Sequence, residues 1–313
     1  MNKKSCREAM ADSLLSLIKE NKDIFVITSD ARGSAKIEKI YREYPDNFVE
    51  VGIAEQNEIG IASGMALSDK IPFVCAPAIF LSSRALDQIR VDVSYMNSNV
   101  KICGVSSGLA YGTQGQSHLA IYDIAAIRPM ANMIVVSPCD AIQTDWMIKE
   151  CARIKAPVYM RMGRAAVETV YSNENINRFA LGKANMITDG TDLTIIATGE
   201  EVQQALVAVD LLKKQNISVR LLDMHTIKPI DKEAIIDAAK NTKKIMSVEQ
   251  HSIYGGLGSA ISEVLSTNYL THLKIMGVSD EVCITGNEQE ILHHYGLDGE
   301  GIARNAIDFL KES

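Results

Sequence analysis

A glutamate within an apolar segment is the first residue whose chemistry stands out. Glu55 lies in "VGIAEQNEIGIASGMAL" (51–67), where a predicted strand gives way to a predicted helix. A carboxylate among apolar and small side chains costs free energy unless another group pairs with it. Taken alone, Glu55 is most simply a favourable partner for the dipole of a helix N-terminus. A binding role therefore needs support from other residues.

Three further side chains with useful chemistry occur where predicted strands end. Phe80 opens a helix after "PFVCAPAI", His118 lies in the glycine-rich loop "GLAYGTQGQSHLAIYD", and Arg161 ends the strand "PVYMRM". With Glu55 they map to the carboxyl ends of strands in one sheet, the edge at which open α/β sheets bind ligands. A carboxylate, an aromatic ring, an imidazole and a guanidinium at one edge indicate a ligand site.

The elements that must position these residues alternate along the chain. Near-continuous apolar strands separated by helical patterns predict an α/β fold with a mainly parallel sheet flanked by helices. We expect strands at 23–28, 48–52, 72–78, 100–106, 133–138, 157–162, 192–199, 218–224, 243–250 and 273–279. We expect helices to start near Glu55, Phe80, Ile121 and Asp140. The polar segment 170–192 interrupts the pattern, so the sequence predicts two domains of this kind, residues 1–180 and 181–313.

Composition excludes several classes of protein. The 313-residue chain has a net charge of −7 and no basic stripe, which argues against a nucleic-acid partner. No apolar run reaches the roughly 18 residues of a membrane span, so no membrane association is predicted. The six cysteines are scattered singly without a CxxC pair, which predicts buried thiols in a reducing, cytoplasmic location and no metal site.

Several segments of the chain together resemble one known family. Glu55 lies in "VGIAEQN", Phe80 in "AIFLSSRALDQIR" and His118 in "YGTQGQSHLAIYDIAAIRPMANMIVVSPCD". With "DMHTIKPID" and "VEQHSIYGGLGSAI", these segments resemble the part of a transketolase that carries the pyrimidine-binding and C-terminal domains, as a separate chain. The resemblance covers essentially the whole sequence. Deoxyxylulose phosphate synthase shares the glutamate motif, and the later segments are shared with 2-oxo acid dehydrogenase β subunits.

The resemblance implies thiamine diphosphate as the cofactor. Glu55 would contact N1′ of its pyrimidine ring and so promote ionisation of the thiazolium C2, while Phe80 would stack on the pyrimidine face. Asp30, at the end of "VITSD", matches a family aspartate near the cofactor, although a helix-cap role is an alternative. His118 matches a histidine that donates to the carbonyl oxygen of the substrate, an oxyanion-type role.

The resemblance also implies a site for an anionic sugar. Arg161 matches the family's phosphate-binding arginine, and Arg7 and Ser34 align with two further phosphate contacts. Two positions depart from the family pattern. Gln114 stands where many transketolases have aspartate, and Ser106 stands where some have a phosphate-binding histidine. Both belong to the expected substrate site, so the sugar need not be an ordinary pentose phosphate.

A partner subunit is implied by a motif that the chain lacks. Transketolases bind Mg²⁺ and the cofactor diphosphate through GDG and a later asparagine, and the sequence contains no GDG. An N-terminal subunit would supply them in an α2β2 assembly, and the complex would transfer a two-carbon ketol unit from an anionic ketose, such as a ketose phosphate, to an aldose. Three alternatives stay open: a 2-oxo acid dehydrogenase β subunit, a deoxyxylulose phosphate synthase-like half enzyme, and a non-catalytic partner chain.

Overall fold

The computed structural model describes residues 3–312, which form two sheets covered by helices. The strands are β1 (Ile24–Thr28), β2 (Phe48–Glu50), β3 (Ile71–Pro77), β4 (Lys101–Val105), β5 (Ile134–Val136), β6 (Val158–Met162), β7 (Asn185–Thr188), β8 (Leu193–Ala197), β9 (Val219–Asp223), β10 (Thr226–Lys228), β11 (Lys244–Ser252) and β12 (His272–Val278). The helices of the first part are α1 (Cys6–Glu20), α2 (Arg32–Ala35), α3 (Glu38–Glu43), α4 (Glu55–Leu67), α5 (Ala78–Arg84), α6 (Leu86–Gln88), α7 (Asp123–Ile127) and α8 (Ala141–Arg153). Those of the second part are α9 (Glu201–Lys213), α10 (Lys232–Thr242), α11 (Leu257–Asn268), α12 (Glu288–His294) and α13 (Gly299–Lys311).

Both sheets are mainly parallel. The first has the order β10-β5-β6-β4-β3-β1-β2, in which only β10 runs antiparallel to its neighbour. The second has the order β12-β11-β8-β9-β7, in which only β7 is antiparallel. The predicted fold class is therefore confirmed. Each predicted strand is present, whereas β7 and β10 were not predicted, and the helix expected near Ile121 begins at Asp123.

Burial explains why the strands read as apolar runs. Every residue of β4 and of β6 is buried, because helices cover both faces of the first sheet. Helix α1 packs against α8 on one of these faces. Its start is fixed by a capping box, in which Ser5 Oγ accepts from the Glu8 N–H and the Glu8 carboxylate accepts from the Ser5 N–H. This start determines where Arg7, in the first turn, can point.

The two parts of the chain are joined through the first sheet. Strand β10, which follows β9 of the second sheet, pairs instead with β5. On β6, Arg161 Nε donates to Asp123 Oδ2 at 2.9 Å, and Arg161 Nη2 donates to the carbonyl oxygens of Ala120 and Gln250 at 3.0 Å each. Gln250 belongs to β11, so Arg161 is an internal cross-link between the two parts. No helix in residues 3–312 is long and apolar enough to cross a membrane.

Removing the Arg161 side chain should destabilise the fold. In Arg161→Met the Asp123 carboxylate stays buried without its cation, which costs about 3–5 kcal/mol. Urea unfolding of the purified chain measures this loss. Arg153→Met is the matched control, because Arg153 is 76% exposed and lies 3.7 Å from Glu150, and it should change stability by less than about 1 kcal/mol. Equal effects of the two substitutions would refute the cross-link.

Candidate active site

Glu55 is buried at the carboxyl edge of the first sheet. It is the first residue of α4, and it is 3% exposed. The preceding residue, Ala54, provides no side-chain cap, so the dipole of the helix N-terminus acts on the Glu55 carboxylate directly. Glu55 Oε1 accepts a hydrogen bond from Arg84 Nη1 at 2.8 Å. The carboxylate that the sequence singled out therefore has an arginine partner that the sequence reading missed.

Arg84 also contacts Phe80. The two residues are four apart on α5, so they share one face of that helix. The guanidinium carbon of Arg84 lies 4.1 Å from the centroid of the Phe80 ring, which is a cation–π contact. The Phe80 ring in turn meets the His118 ring edge to face, with centroids 5.3 Å apart. The structure thus brings Glu55, Phe80 and His118 into one cluster, with Arg84 between the first two.

The loop between β4 and α7 continues this row of rings. His118 Nδ1 lies 3.0 Å from Ser117 Oγ, and the His118 ring centroid lies 5.9 Å from that of Tyr111. Gln114 is exposed on this loop. Its backbone N–H donates to the Tyr111 carbonyl oxygen at 2.8 Å. At Gly112 a Cβ would lie 2.6 Å from the Gly286 carbonyl oxygen, so the loop packs closely against the second part of the chain.

A second cluster lies around the Tyr111 hydroxyl. Tyr111 Oη donates to Ser34 Oγ at 3.1 Å, and Arg7 Nη1 donates to the Ser34 carbonyl oxygen at 2.7 Å. The guanidinium carbon of Arg164 lies 5.0 Å from the centroid of the Tyr111 ring. Burial raises the pKa of Tyr111, but the hydroxyls of Ser34 and Ser106 and the two arginine charges outweigh it and lower the pKa.

This second cluster is suited to an anion. Burial and the neighbouring Arg164 charge both lower the pKa of Arg7. Arg7 Nε is buried and has no hydrogen-bond partner within residues 3–312. Two guanidinium groups with an unused buried donor are the chemistry that binds phosphate or carboxylate.

The structure places Arg161, for which a substrate role was expected, away from both clusters. Its guanidinium is held in the interior by Asp123 and by two carbonyl oxygens, so it belongs to neither cluster. Arg164, two residues after the end of β6, contacts Tyr111 instead. In the sequence, Arg161 lies at the end of the predicted strand 157–162 and Arg164 lies two residues beyond it. Position relative to the strand therefore does not distinguish the two arginines. Ser106 is buried with φ +54° at the end of β4, next to Tyr111.

Asp30 is placed by a residue that sequence reasoning also missed. Its side chain is exposed and its backbone has φ +53°, while its N–H donates to Glu50 Oε1 at 2.7 Å. The same oxygen accepts from the Gly52 N–H at 3.0 Å. Glu50 therefore joins the loop after β1 to the loop that leads from β2 to Glu55.

A second buried glutamate follows Glu55 by one helical turn. Glu58 is fully buried, and within the described residues neither of its carboxyl oxygens has a partner of good hydrogen-bond geometry. Burial is the largest influence and raises the pKa of Glu58 to about 8; the Ser29 hydroxyl opposes it, and the charges of Glu55 and Glu50 add to it. Glu58 therefore holds a proton at neutral pH.

Comparison with known proteins identifies the family. The family model described as "Transketolase, pyrimidine binding domain" matches residues 2–169, and that described as "Transketolase, C-terminal domain" matches residues 182–302. The chain belongs to the transketolase family. The resemblance inferred from the glutamate motif and the histidine loop is thereby confirmed.

Three relatives show how much of a transketolase the chain corresponds to. A subunit of the apulose-4-phosphate transketolase of Phocaeicola vulgatus is 48% identical over 308 residues, which are 98% of each chain. Homo sapiens transketolase is 33% identical over 310 residues, which are 97% of this chain but 48% of the human protein. A solved split gene transketolase, described as an inactive beta4 tetramer, superposes with a TM-score of 0.90 at 37% identity and 98% coverage of both chains.

Membership of this family implies dependence on thiamine diphosphate, and the Glu55 cluster fits the pyrimidine end of that cofactor. Arg84 provides the test. Its guanidinium is planar, donates an N–H to the Glu55 carboxylate and lies over the Phe80 ring. An aminopyrimidine ring is also planar and nitrogen-rich, so Glu55 and Phe80 can hold it in the same way. Within residues 3–312, no group of three or more His, Cys, Asp and Glu side chains could hold a metal ion.

Replacing Glu58 by glutamine should stabilise the chain in a pH-dependent way. Below about pH 4.5 both the folded and the unfolded state hold the Glu58 proton, but between about 4.5 and 8 only the folded state does. The stability of the parent chain therefore falls as pH rises through this window. Glu58→Gln removes that loss, which is on the order of a few kcal/mol at pH 8.

Urea unfolding at pH 5, 6.5 and 8 measures this gain. Glu43→Gln, at an exposed position on α3, is the matched control and should leave the pH dependence unchanged. A gain for Glu58→Gln that is the same at all three pH values would contradict a proton held on Glu58.

Proposed function

We propose that this chain is the pyrimidine-binding subunit of a two-subunit transketolase that transfers a two-carbon ketol unit from a phosphorylated ketose to an aldose. The observation that carries the proposal is the pairing of buried Glu55 with the face of Phe80 around one planar N–H donor, with His118 at the ring edge. These are the positions needed to hold an aminopyrimidine and a reacting carbonyl side by side.

The chain's own residues have separate tasks in this proposal. Bound thiamine diphosphate supplies a nucleophilic C2 carbon, which allows the bond next to a ketose carbonyl to be cleaved. Glu55 holds the proton at N1′ of the pyrimidine, and its burial keeps water from competing for that contact. Phe80 covers one face of the ring. His118 donates to the oxygen on which charge develops, and Asp30 lies in the adjoining loop.

The anionic end of the sugar is assigned to Arg7, Arg164 and Ser34. The rings of Phe80, His118 and Tyr111 form a continuous row, with centroids 5.3 and 5.9 Å apart, between the Glu55 cluster and the arginines. A short ketose phosphate can lie along such a row, with its carbonyl at one end and its phosphate at the other. Apulose 4-phosphate is the first donor to test, because the Phocaeicola vulgatus relative is named for it.

The diphosphate end of the cofactor is assigned to a partner. The sequence has no GDG, so the proposed partner is an N-terminal subunit that carries this motif and Mg²⁺, in an α2β2 assembly. The Phocaeicola vulgatus relative is named as one subunit of a transketolase, which supports a divided enzyme. The six cysteines are buried and unpaired, which supports a reducing, cytoplasmic location.

Mixing experiments test the divided enzyme. The chain alone should give no ketol transfer and at best about millimolar cofactor binding by titration calorimetry, because stacking and one hydrogen bond supply only a few kcal/mol. Addition of a GDG-bearing N-terminal subunit with Mg²⁺ should restore both. Micromolar binding or turnover by the isolated chain would refute the shared site, and transfer from pyruvate instead of a ketose phosphate would favour a 2-oxo acid dehydrogenase.

Glu55→Gln in the mixed complex should lower kcat about 10²–10⁴-fold, since glutamine cannot exchange a proton with N1′. The chain should stay folded and still assemble with its partner, because the substitution removes a buried charge. Steady-state assays measure the loss, and Glu43→Gln is the matched exposed control. Wild-type turnover in Glu55→Gln would remove Glu55 from the catalytic role.

Arg164→Ala should selectively weaken phosphorylated donors. The lost charged hydrogen bonds are worth roughly 1.5–3 kcal/mol, or about 10- to 150-fold in affinity. We expect a rise in KM for a ketose phosphate and little change for a non-phosphorylated ketose such as erythrulose. Arg42→Ala, at a position that is 73% exposed, controls for a general loss of positive charge. Equal losses for both kinds of donor would exclude Arg164 as the phosphate arginine.

A further inference from the structure

Arg84 makes both contacts that the proposed function assigns to the cofactor's pyrimidine. Its Nη1 donates to Glu55 Oε1 at 2.8 Å, and its guanidinium carbon lies 4.1 Å from the Phe80 ring centroid. A group that donates to this carboxylate and covers this ring competes with a second planar ring for the same two contacts. We propose that Arg84 occupies the pyrimidine position in the unloaded subunit and must swing out before the cofactor can bind. This inference rests on the proposed function.

The shape and charge of the guanidinium explain why an arginine can take this place. The group is planar and stacks on aromatic faces, and its N–H groups match a carboxylate. A lysine has the charge but neither the plane nor the fixed fork of donors. The Arg84 guanidinium therefore resembles an aminopyrimidine in its outline and in its contacts with Glu55 and Phe80.

The position of Arg84 allows it to leave. It is the last residue of α5, and its side chain is 46% exposed. Within residues 3–312, the Arg84 guanidinium makes one hydrogen bond, which is the bond to Glu55. Displacement thus breaks one charged hydrogen bond and one ring contact, and it returns an exposed side chain to water. Neither α5 nor the sheet beneath it has to move.

The ion pair also explains how the subunit tolerates Glu55 before the cofactor arrives. A buried carboxylate without a partner strongly destabilises a fold. Arg84 is that partner in the free chain, and the pyrimidine takes its place afterwards. The consequence is a competition, because the cofactor binds only the fraction of molecules in which Arg84 has left. If Arg84 occupies the position about 90% of the time, the apparent affinity for the cofactor is reduced about tenfold.

Cofactor titration of the assembled complex tests the competition. The complex is stripped of cofactor and titrated with thiamine diphosphate and Mg²⁺ by calorimetry, in wild-type form and with Arg84→Met, Arg84→Lys or Arg90→Met. Arg90 is the matched control, because it is 63% exposed and pairs with Asp87 rather than with the site. Arg84→Met should bind the cofactor about tenfold more tightly, Arg84→Lys should bind with an intermediate gain, and Arg90→Met should match the wild type.

A gain of threefold or more in Arg84→Met supports the competition, and a smaller gain or a loss overturns it. If the wild-type complex binds no thiamine diphosphate, the proposed function itself fails, which is a different result. If Arg84→Met does not fold, proton exchange in the wild-type complex tests the competition instead. In the wild-type complex with ¹⁵N-labelled arginine, the guanidinium protons of Arg84 should exchange with water slowly before cofactor addition and faster after it. Unchanged exchange in the loaded complex overturns the proposal.

Discussion

A carboxylate held away from water is the constraint on which this site depends. Glu55 sits at 3% exposure among apolar and small residues, where an isolated charge would be costly. Two features offset that cost: the N-terminus of α4 and the Arg84 guanidinium. Glu58 adds a second buried carboxyl one turn later, but a neutral one.

The second part of the chain matters for the site because it positions the loop that carries His118 and Tyr111. Leu109 N–H donates to Gln250 Oε1 at 3.1 Å, and Arg161 donates to the carbonyl oxygens of Ala120 and Gln250. The loop is therefore held near both of its ends by contacts that involve β11.

Periodicity was enough to predict the two α/β parts, because parallel strands buried on both faces give apolar runs that any sequence window reveals. It could not reveal β10, which has three residues and pairs with a strand about ninety positions earlier in the chain. Residue type and strand order placed Glu55, Phe80 and His118 at one edge. The same reasoning could not choose between Arg161 and Arg164, because the direction of each side chain depends on Asp123 and Tyr111, which come from other elements. Arg84 was missed because its hydrogen bond to Glu55 joins α5 to α4, and the residue pattern of neither helix predicts that contact.

The second cluster, around the Tyr111 hydroxyl, departs from the pattern that the sequence resembles. Ser106, where some transketolases have a phosphate-binding histidine, is small and lies at positive φ beside Tyr111. The Tyr111 hydroxyl reaches Ser34, and its pKa is lowered in part by the charges of Arg7 and Arg164. A phenol beside two guanidinium groups has the chemistry to donate a hydrogen bond to an anion. Gln114 is exposed on the same loop, and its backbone N–H donates to the Tyr111 carbonyl oxygen, so the backbone of residue 114 helps to fix the residue that carries this phenol.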